Sequence, residues 1–113
     1  MAMSENQRRK AANEAVFRDV NEQIEALQHK FAVAEDLPLN IVCECDRLGC
    51  AEQLSVEIET YERVRSDSAT FFVLPGHEDD SVEEVIDTGG GFLIVRKRPG
   101  DPQAVAEATD PRS

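Results

Sequence analysis

Apolar residues in the first third of the chain recur at alternating intervals of three and four positions. The stripe consists of Phe17, Val20, Ile24, Leu27 and Phe31. This spacing predicts an amphipathic helix over residues 13–34, with a narrow apolar face. That face either packs on the domain core or pairs with a second copy of the chain. Four acidic residues are then expected on the outer faces: Glu14, Asp19, Glu22 and Glu25.

The helical spacing stops at Pro38, because proline disfavours the α region for the residue before it. Beyond it, apolar residues alternate at Leu39, Ile41, Cys43 and Cys45, and again at Leu54, Val56 and Ile58. Alternation with a period of two predicts strands. The two strands form an antiparallel hairpin around the thiols, and a turn at 46–49 folds Cys50 back toward the first pair.

In the second half of the chain, the pattern of apolar residues predicts a short helix and a second hairpin. Tyr61 and Val64 share one face of a helix that runs from Tyr61 to about Asp67. A buried strand or anchored loop follows at 71–74, and apolar runs at 82–86 and 92–95 flank the glycine-rich turn at 88–91. The predicted fold is α+β: an N-terminal amphipathic helix, an antiparallel hairpin carrying a zinc-knuckle-like cysteine cluster, a short helix and a C-terminal β-hairpin.

Composition at the two ends predicts tails. Residues 1–12 are largely polar, and residues 99–113 contain three of the five prolines without an aromatic residue. Both segments are therefore expected to be disordered. The remaining small α+β domain, residues 35–98, is short enough that a metal staple would help its core.

Charge and hydropathy restrict the partners. The net charge is −11, whereas phosphate backbones are bound by clustered lysine and arginine, so nucleic acid is not the expected partner. The chain has neither an apolar run of membrane-spanning length nor a signal peptide pattern. We therefore expect a cytoplasmic protein with an unknown protein partner, existing as a monomer or a helix-mediated dimer.

Three cysteines within eight residues carry the strongest chemical signal. Cys43, Cys45 and Cys50, together with His77 on the glycine-flanked turn at 75–77, offer four soft ligands. Structural zinc takes four thiolate or imidazole ligands in a tetrahedron, which predicts a Cys3His zinc site. His29 is an alternative fourth ligand, although its polar neighbours favour a surface position, and Glu78 or Asp46 could supply oxygen.

Other interpretations of the thiols remain open at this stage. They are reduced core cysteines without an ion, a redox pair, and a Cys50–His77 nucleophile. Neither an orienting third group nor an oxyanion hole is recognisable for the nucleophile. We therefore expect a non-enzymatic zinc-binding protein that acts as an interaction or regulatory module.

Four ordered segments resemble a family of short actinobacterial proteins. Residues 13–22, 42–45 with Cys50, 61–65 and 75–78 are similar to its NExxFRxVNE, CEC, YExVR and PGHE elements. The resemblance spans about residues 13–96. It implies that the three cysteines and His77 belong together as a shared ligand set, and it implies no reaction.

Overall fold

In the part of the chain that the structure describes, two small antiparallel sheets and three helices are present, which confirms the predicted α+β class. The computed structural model describes residues 4–30, 37–47 and 49–112. The helices are α1 (Glu5–Lys30), α2 (Ile58–Arg65) and α3 (Asp101–Ala108). The strands are β1 (Leu39–Val42), β2 (Gln53–Val56), β3 (Thr70–Val73), β4 (Glu83–Thr88) and β5 (Leu93–Lys97).

Both predicted hairpins are present. In the first sheet β1 pairs with β2, with Leu39 opposite Val56. In the second sheet the order is β3-β5-β4, and a bulge interrupts the β4–β5 register between Val85 and Asp87. The connection between β1 and β2 carries the cysteines, and the connection between β3 and β4 carries His77. The two sheets therefore each contribute to the predicted site.

Helix α1 begins well before the predicted position. Ser4 caps it, since its hydroxyl accepts from the Gln7 amide at 3.1 Å while the Gln7 side chain accepts from the Ser4 amide at 2.8 Å. This reciprocal capping box satisfies two amides that a helix start would otherwise leave free. The predicted disorder of residues 1–12 is therefore wrong for residues 5–12, which belong to α1. The predicted helix end at 31–34, including Phe31, lies outside the described residues.

The buried residues of α1 are polar or charged, whereas the apolar stripe was one candidate for the face that packs on the core. These buried residues are Glu14, Arg18, Asn21 and Glu25. Glu14 and Glu25 were expected on the outer faces, and that prediction is wrong. Within the stripe, Ile24 packs against the main core, whereas 53% of Leu27 is exposed. Buried polar groups are tolerated because other elements of the fold supply their hydrogen-bond partners.

The prediction of a disordered tail over residues 99–113 is also wrong, because α3 lies within it. Pro102 sits in the first turn of the helix, where a missing amide costs little. Ala106 is buried in the same apolar cluster as Phe71. The Arg18 guanidinium donates to the Ala106 carbonyl at 2.6 Å and to the Ser68 carbonyl at 2.6 Å. One side chain of α1 thus holds α3 in place.

The main apolar core combines residues of the first sheet and α2 with Phe72, Phe92 and Ile94 from the region of the second sheet. Tyr61 stacks on Phe72 with ring centroids 5.8 Å apart, and Phe92 meets Phe72 edge-on. Helix α2 begins at Ile58, three residues before the predicted start, so the expected strand position of Ile58 is wrong. Within the described residues, no helix combines the length and apolar character that a membrane crossing requires.

Candidate metal centre

Four side chains from two loops converge on one point. Their candidate ligand atoms, from Cys43, Cys45, Cys50 and His77, all lie within 4.8 Å of one another. Cys43 and Cys45 are fully buried, while Cys50 and His77 are half-buried. All three cysteines are free thiols. The four residues that the sequence predicted as ligands are therefore positioned to bind a metal ion.

The connection between β1 and β2 presents the three sulfur atoms. The Cys43 amide donates to the Glu52 carbonyl at 2.8 Å, which extends the strand pairing by one residue. The Cys50 amide donates to the Arg47 carbonyl at 3.2 Å and closes the turn. Gly49 lies at a φ of +83°, a conformation that favours glycine. This turn reverses the chain and brings Cys50 back to the first two cysteines.

The turn after β3 presents the imidazole. Gly76 has a φ of +91°, and the His77 amide donates to the Leu74 carbonyl at 2.9 Å. The Arg47 guanidinium donates to the Gly76 carbonyl, so the cysteine turn and the histidine turn are bonded directly. The two loops are thus held together by a contact that does not involve the ligands.

The two separations between His77 and the sulfur atoms are close to those of a tetrahedral zinc site. His77 Nδ1 lies 3.6 Å from Cys50 Sγ and 3.8 Å from Cys43 Sγ. An ion bonded at about 2.3 Å to sulfur and about 2.0–2.1 Å to nitrogen in a tetrahedron holds these two atoms about 3.6 Å apart. The Leu74 amide also donates to Cys43 Sγ at 3.2 Å, a contact that suits a thiolate.

The pKa values of the three thiols are shifted by their neighbours and by burial. The hydrogen bond with Cys45 raises the pKa of the Cys43 thiol, and burial adds to that effect. The same hydrogen bond lowers the pKa of Cys45 to about 4. Burial raises the pKa of the Cys50 thiol. One thiolate therefore forms readily, while loss of the other protons places like charges together. A bound cation would relieve that repulsion.

The alternative oxygen ligands are engaged elsewhere. The Glu78 carboxylate accepts from the Gly76 amide at 2.7 Å. Asp46 shares a hydrogen bond with Asp79, and burial followed by that carboxylate raises the pKa of Asp46 to about 6. The cluster that converges among the described residues includes neither of them. The side chain of His29, the alternative fourth ligand, lies outside the described residues.

Glu44, between two cysteines of the candidate site, points to the opposite side and is fully buried. Its Oε1 accepts from Arg65 at 2.9 Å and from the Phe72 amide at 3.0 Å, and its Oε2 accepts from Asn21 at 2.7 Å. Asn21 also bonds both backbone groups of Val42. This carboxylate therefore joins α1, α2 and β3, a role the sequence analysis did not foresee.

A second buried ion cluster lies at the other end of α1. Lys97 donates to Glu14 and to Glu83, at 2.6 Å each. Burial raises the pKa of Glu14 to about 8, although Lys97 opposes the shift. Burial alone would lower the pKa of Lys97, but Glu14 and Glu83 together raise it. Glu14 and Lys97 also line a cavity of about 290 Å³ that α3 helps to enclose.

Comparisons with known proteins place few limits on the function. No protein-family model matches the chain, and no solved structure matches it. Pyruvate decarboxylase 3 from Oryza sativa subsp. indica and its counterpart from subsp. japonica are each 31% identical to it over 61 residues. That segment is 54% of this chain, and the match covers only 10% of each relative. A likeness of this extent shows neither a family nor an activity.

Proposed function

We propose that this chain is a small non-enzymatic protein, stapled by structural zinc, that acts as a protein-interaction or regulatory module. The observation that carries the proposal is the convergence of Cys43, Cys45, Cys50 and His77 within 4.8 Å. The ligands lie up to 34 residues apart in sequence, so their meeting depends on the tertiary fold.

The donor set favours zinc over the common alternatives. Thiolate and imidazole are soft or borderline ligands, whereas magnesium and calcium take oxygen. Three sulfur ligands and one nitrogen ligand match a familiar structural zinc set. The separations of 3.6 Å and 3.8 Å between His77 Nδ1 and two of the sulfurs support this assignment.

A structural role follows from the number and placement of the ligands. Four protein ligands complete a zinc tetrahedron and leave no position for a reacting water. Three ligands come from the loop between β1 and β2, and the fourth comes from the turn after β3. Zinc bound there would cross-link the two sheets and stabilise the folded state, because the unfolded chain has no preformed site for the ion.

Metal analysis of the purified protein tests the proposal. We expect one equivalent of zinc per chain and a cobalt-substituted form with strong sulfur-to-cobalt charge-transfer absorption. His77→Gln should lose the metal or bind it far more weakly. His29→Gln is the matched control, because these are the two histidines of the chain. Metal-free wild type with three freely titratable thiols and an unchanged fold in chelator would contradict the proposal.

A thiol-based redox protein or Cys-His enzyme is the second candidate, favoured by the 3.6 Å separation of Cys50 Sγ and His77 Nδ1. Two observations weigh against it. The same nitrogen lies 3.8 Å from Cys43 Sγ, so the imidazole is not dedicated to one thiol. Burial also raises the pKa of Cys50, which disfavours a reactive thiolate. Rapid alkylation of Cys50 alone at neutral pH would favour this candidate, whereas protection until chelator is added supports the zinc staple.

A further inference from the structure

Three glutamates on α1 and α2 surround the side chain of Arg112. They are Glu22, Glu25 and Glu62, and together with the Tyr61 ring they are called the glutamate cleft below. Arg112 lies beyond the end of α3 and reaches back to them. Its guanidinium carbon lies 6.0 Å from the centre of the Tyr61 ring. The cleft thus combines negative charge with an aromatic face.

The contacts match the planar shape of a guanidinium group. Arg112 Nε and Nη2 both donate to Glu22, the second at 3.1 Å. Arg112 Nη1 and Nη2 donate to the two oxygens of Glu62 at 2.9 Å and 3.2 Å. Two carboxylates are therefore each held through two bonds, which a lysine ammonium cannot reproduce. These hydrogen bonds, those to Glu22 most of all, raise the pKa of Arg112.

The cleft has hydrogen-bonding capacity that Arg112 does not use. Glu25 is 7% exposed, and its Oε1 accepts from Arg112 at 3.3 Å. Its other oxygen, Oε2, is buried without a hydrogen-bond partner among the described residues. The buried hydroxyl of Tyr61 likewise has no partner there. Buried polar atoms left unpaired are costly, so a ligand placed to donate to Glu25 Oε2 as well would be favoured over Arg112.

Part of the Arg112 contact is accessible to solvent. Its side chain is 32% exposed and that of Glu62 is 44% exposed, so solvent screens part of their attraction. The side chains of Glu22 and Glu25 are 15% and 10% exposed, so solvent screens their bonds to Arg112 less. Unlike the buried Arg65 that pairs with Glu44, Arg112 and Glu62 are therefore accessible to a competing guanidinium group.

We propose that the glutamate cleft binds an arginine side chain of a partner protein, and that Arg112 is its internal competitor. The inference rests on the proposed interaction role and specifies the chemistry of the partner segment. It does not depend on which metal is bound. The net charge of −11 further favours a basic partner, since long-range attraction accelerates encounter.

Removal of the competitor provides the test. Arg112→Ala is titrated with the capped peptide Gly-Gly-Arg-Gly-Gly and followed by NMR shifts of the Glu22, Glu25 and Glu62 amides. If Arg112 fills the cleft nine-tenths of the time, the apparent affinity rises about tenfold over wild type. Arg98→Ala, which removes an exposed arginine bonded to the Asp80 carbonyl, is the matched control and should behave as wild type.

Two further comparisons make the result decisive. In the Arg112→Ala background, Glu62→Gln should weaken peptide binding, whereas Glu59→Gln on an exposed position of the same helix should not. A Gly-Gly-Lys-Gly-Gly peptide should bind more weakly than the arginine peptide. Equal shifts for both peptides, or no cleft-specific shifts in folded Arg112→Ala, would overturn the inference and leave the contact a purely internal clamp. Metal content measured on the same samples separates this failure from failure of the zinc proposal.

Discussion

The two sides of the Cys43–Glu44–Cys45 segment stabilise the fold in contrasting ways. On one side, three thiols and an imidazole lie within 4.8 Å of one another and are positioned to bind a metal ion. On the other side, the buried Glu44 carboxylate meets Arg65 at 2.9 Å and needs nothing from outside. Because successive side chains of an extended chain point in opposite directions, three residues serve both arrangements.

This difference shows which part of the fold needs a ligand from solution and which part does not. The ion cluster around Glu44 forms whenever the chain folds, since Asn21 and Arg65 belong to the same molecule. The proposed zinc site, in contrast, is complete only when metal is available at a pH that leaves its ligands deprotonated. If zinc binds there, metal supply would set the stability of the fold, whereas the Glu44 cluster requires no ligand.

The largest effect is expected for loss of a metal ligand. Cys45→Ser should abolish tight metal binding and the cooperative thermal transition, because metal binding in small zinc domains contributes on the order of 10–16 kcal/mol. That exceeds the net stability of most domains. Circular dichroism melts with and without chelator provide the measurement. Ser55→Ala, at an exposed site on β2, is the control and should melt as wild type.

The next effect is expected at Glu44. Glu44→Gln leaves Arg65 as a buried charge without its carboxylate and should reduce the free energy of unfolding by about 3–5 kcal/mol. Metal content should remain at the wild-type level, which separates the two sides of the segment. Glu52→Gln, an exposed change of the same charge in the same connection, should cost little. Loss of metal in folded Glu44→Gln would show that the two sides are not independent.

A smaller, pH-dependent effect is expected at Glu14, which faces Lys97, Glu83 and Asp46. Burial raises its pKa from 4.5 to about 8, so the folded state holds this proton more tightly than the unfolded state. The resulting stability is present below pH 4.5 and is lost as the pH rises toward 8. The loss reaches at most about 1.4 kcal/mol per pH unit.

Urea unfolding of wild type and Glu14→Gln at pH 5, 6.5 and 8 measures this effect. The stability difference between the two proteins isolates Glu14 from the pH dependence of metal binding. Wild type should lose stability relative to the variant as the pH rises. Parallel curves for the two proteins would show that Lys97 keeps Glu14 ionised throughout this range.

The smallest effect is expected on the apolar face of α1, where Leu27 is 53% exposed. Leu27→Glu should change the free energy of unfolding by less than about 0.5 kcal/mol, as expected for an exposed position. Sedimentation of both proteins tests the helix-mediated dimer at the same time. A wild-type dimer that becomes a folded monomer in Leu27→Glu would support the dimer, and aggregated variant would support core packing.

Local patterns predicted the two hairpins, because hairpins depend on turns and alternation. The approach of His77 to the cysteines was predicted from the ligand chemistry of zinc, since no local pattern spans the 34 residues between Cys43 and His77. The buried polar face of α1 could not be predicted in the same way, since Glu14 finds Lys97 from 83 residues away. Residues such as Glu14 and Arg18 look like an exposed face until their partners are known. Two signals were nevertheless present in the sequence. The Ser4–Gln7 capping box indicates the earlier start of α1, and the helical spacing of Glu14, Arg18 and Asn21 within the NExxFRxVNE segment indicates that they share one face.

The polar face of α1 also fixes how that helix can move. A shift by one residue would rotate the side chains by about 100° and separate Arg18 and Asn21 from their partners together. Small translations or rotations of α1 are therefore disfavoured, and we expect the helix to detach from the rest of the fold in a single concerted step. Amide hydrogen exchange along its central turns should accordingly occur with one shared protection factor rather than fraying gradually from either end.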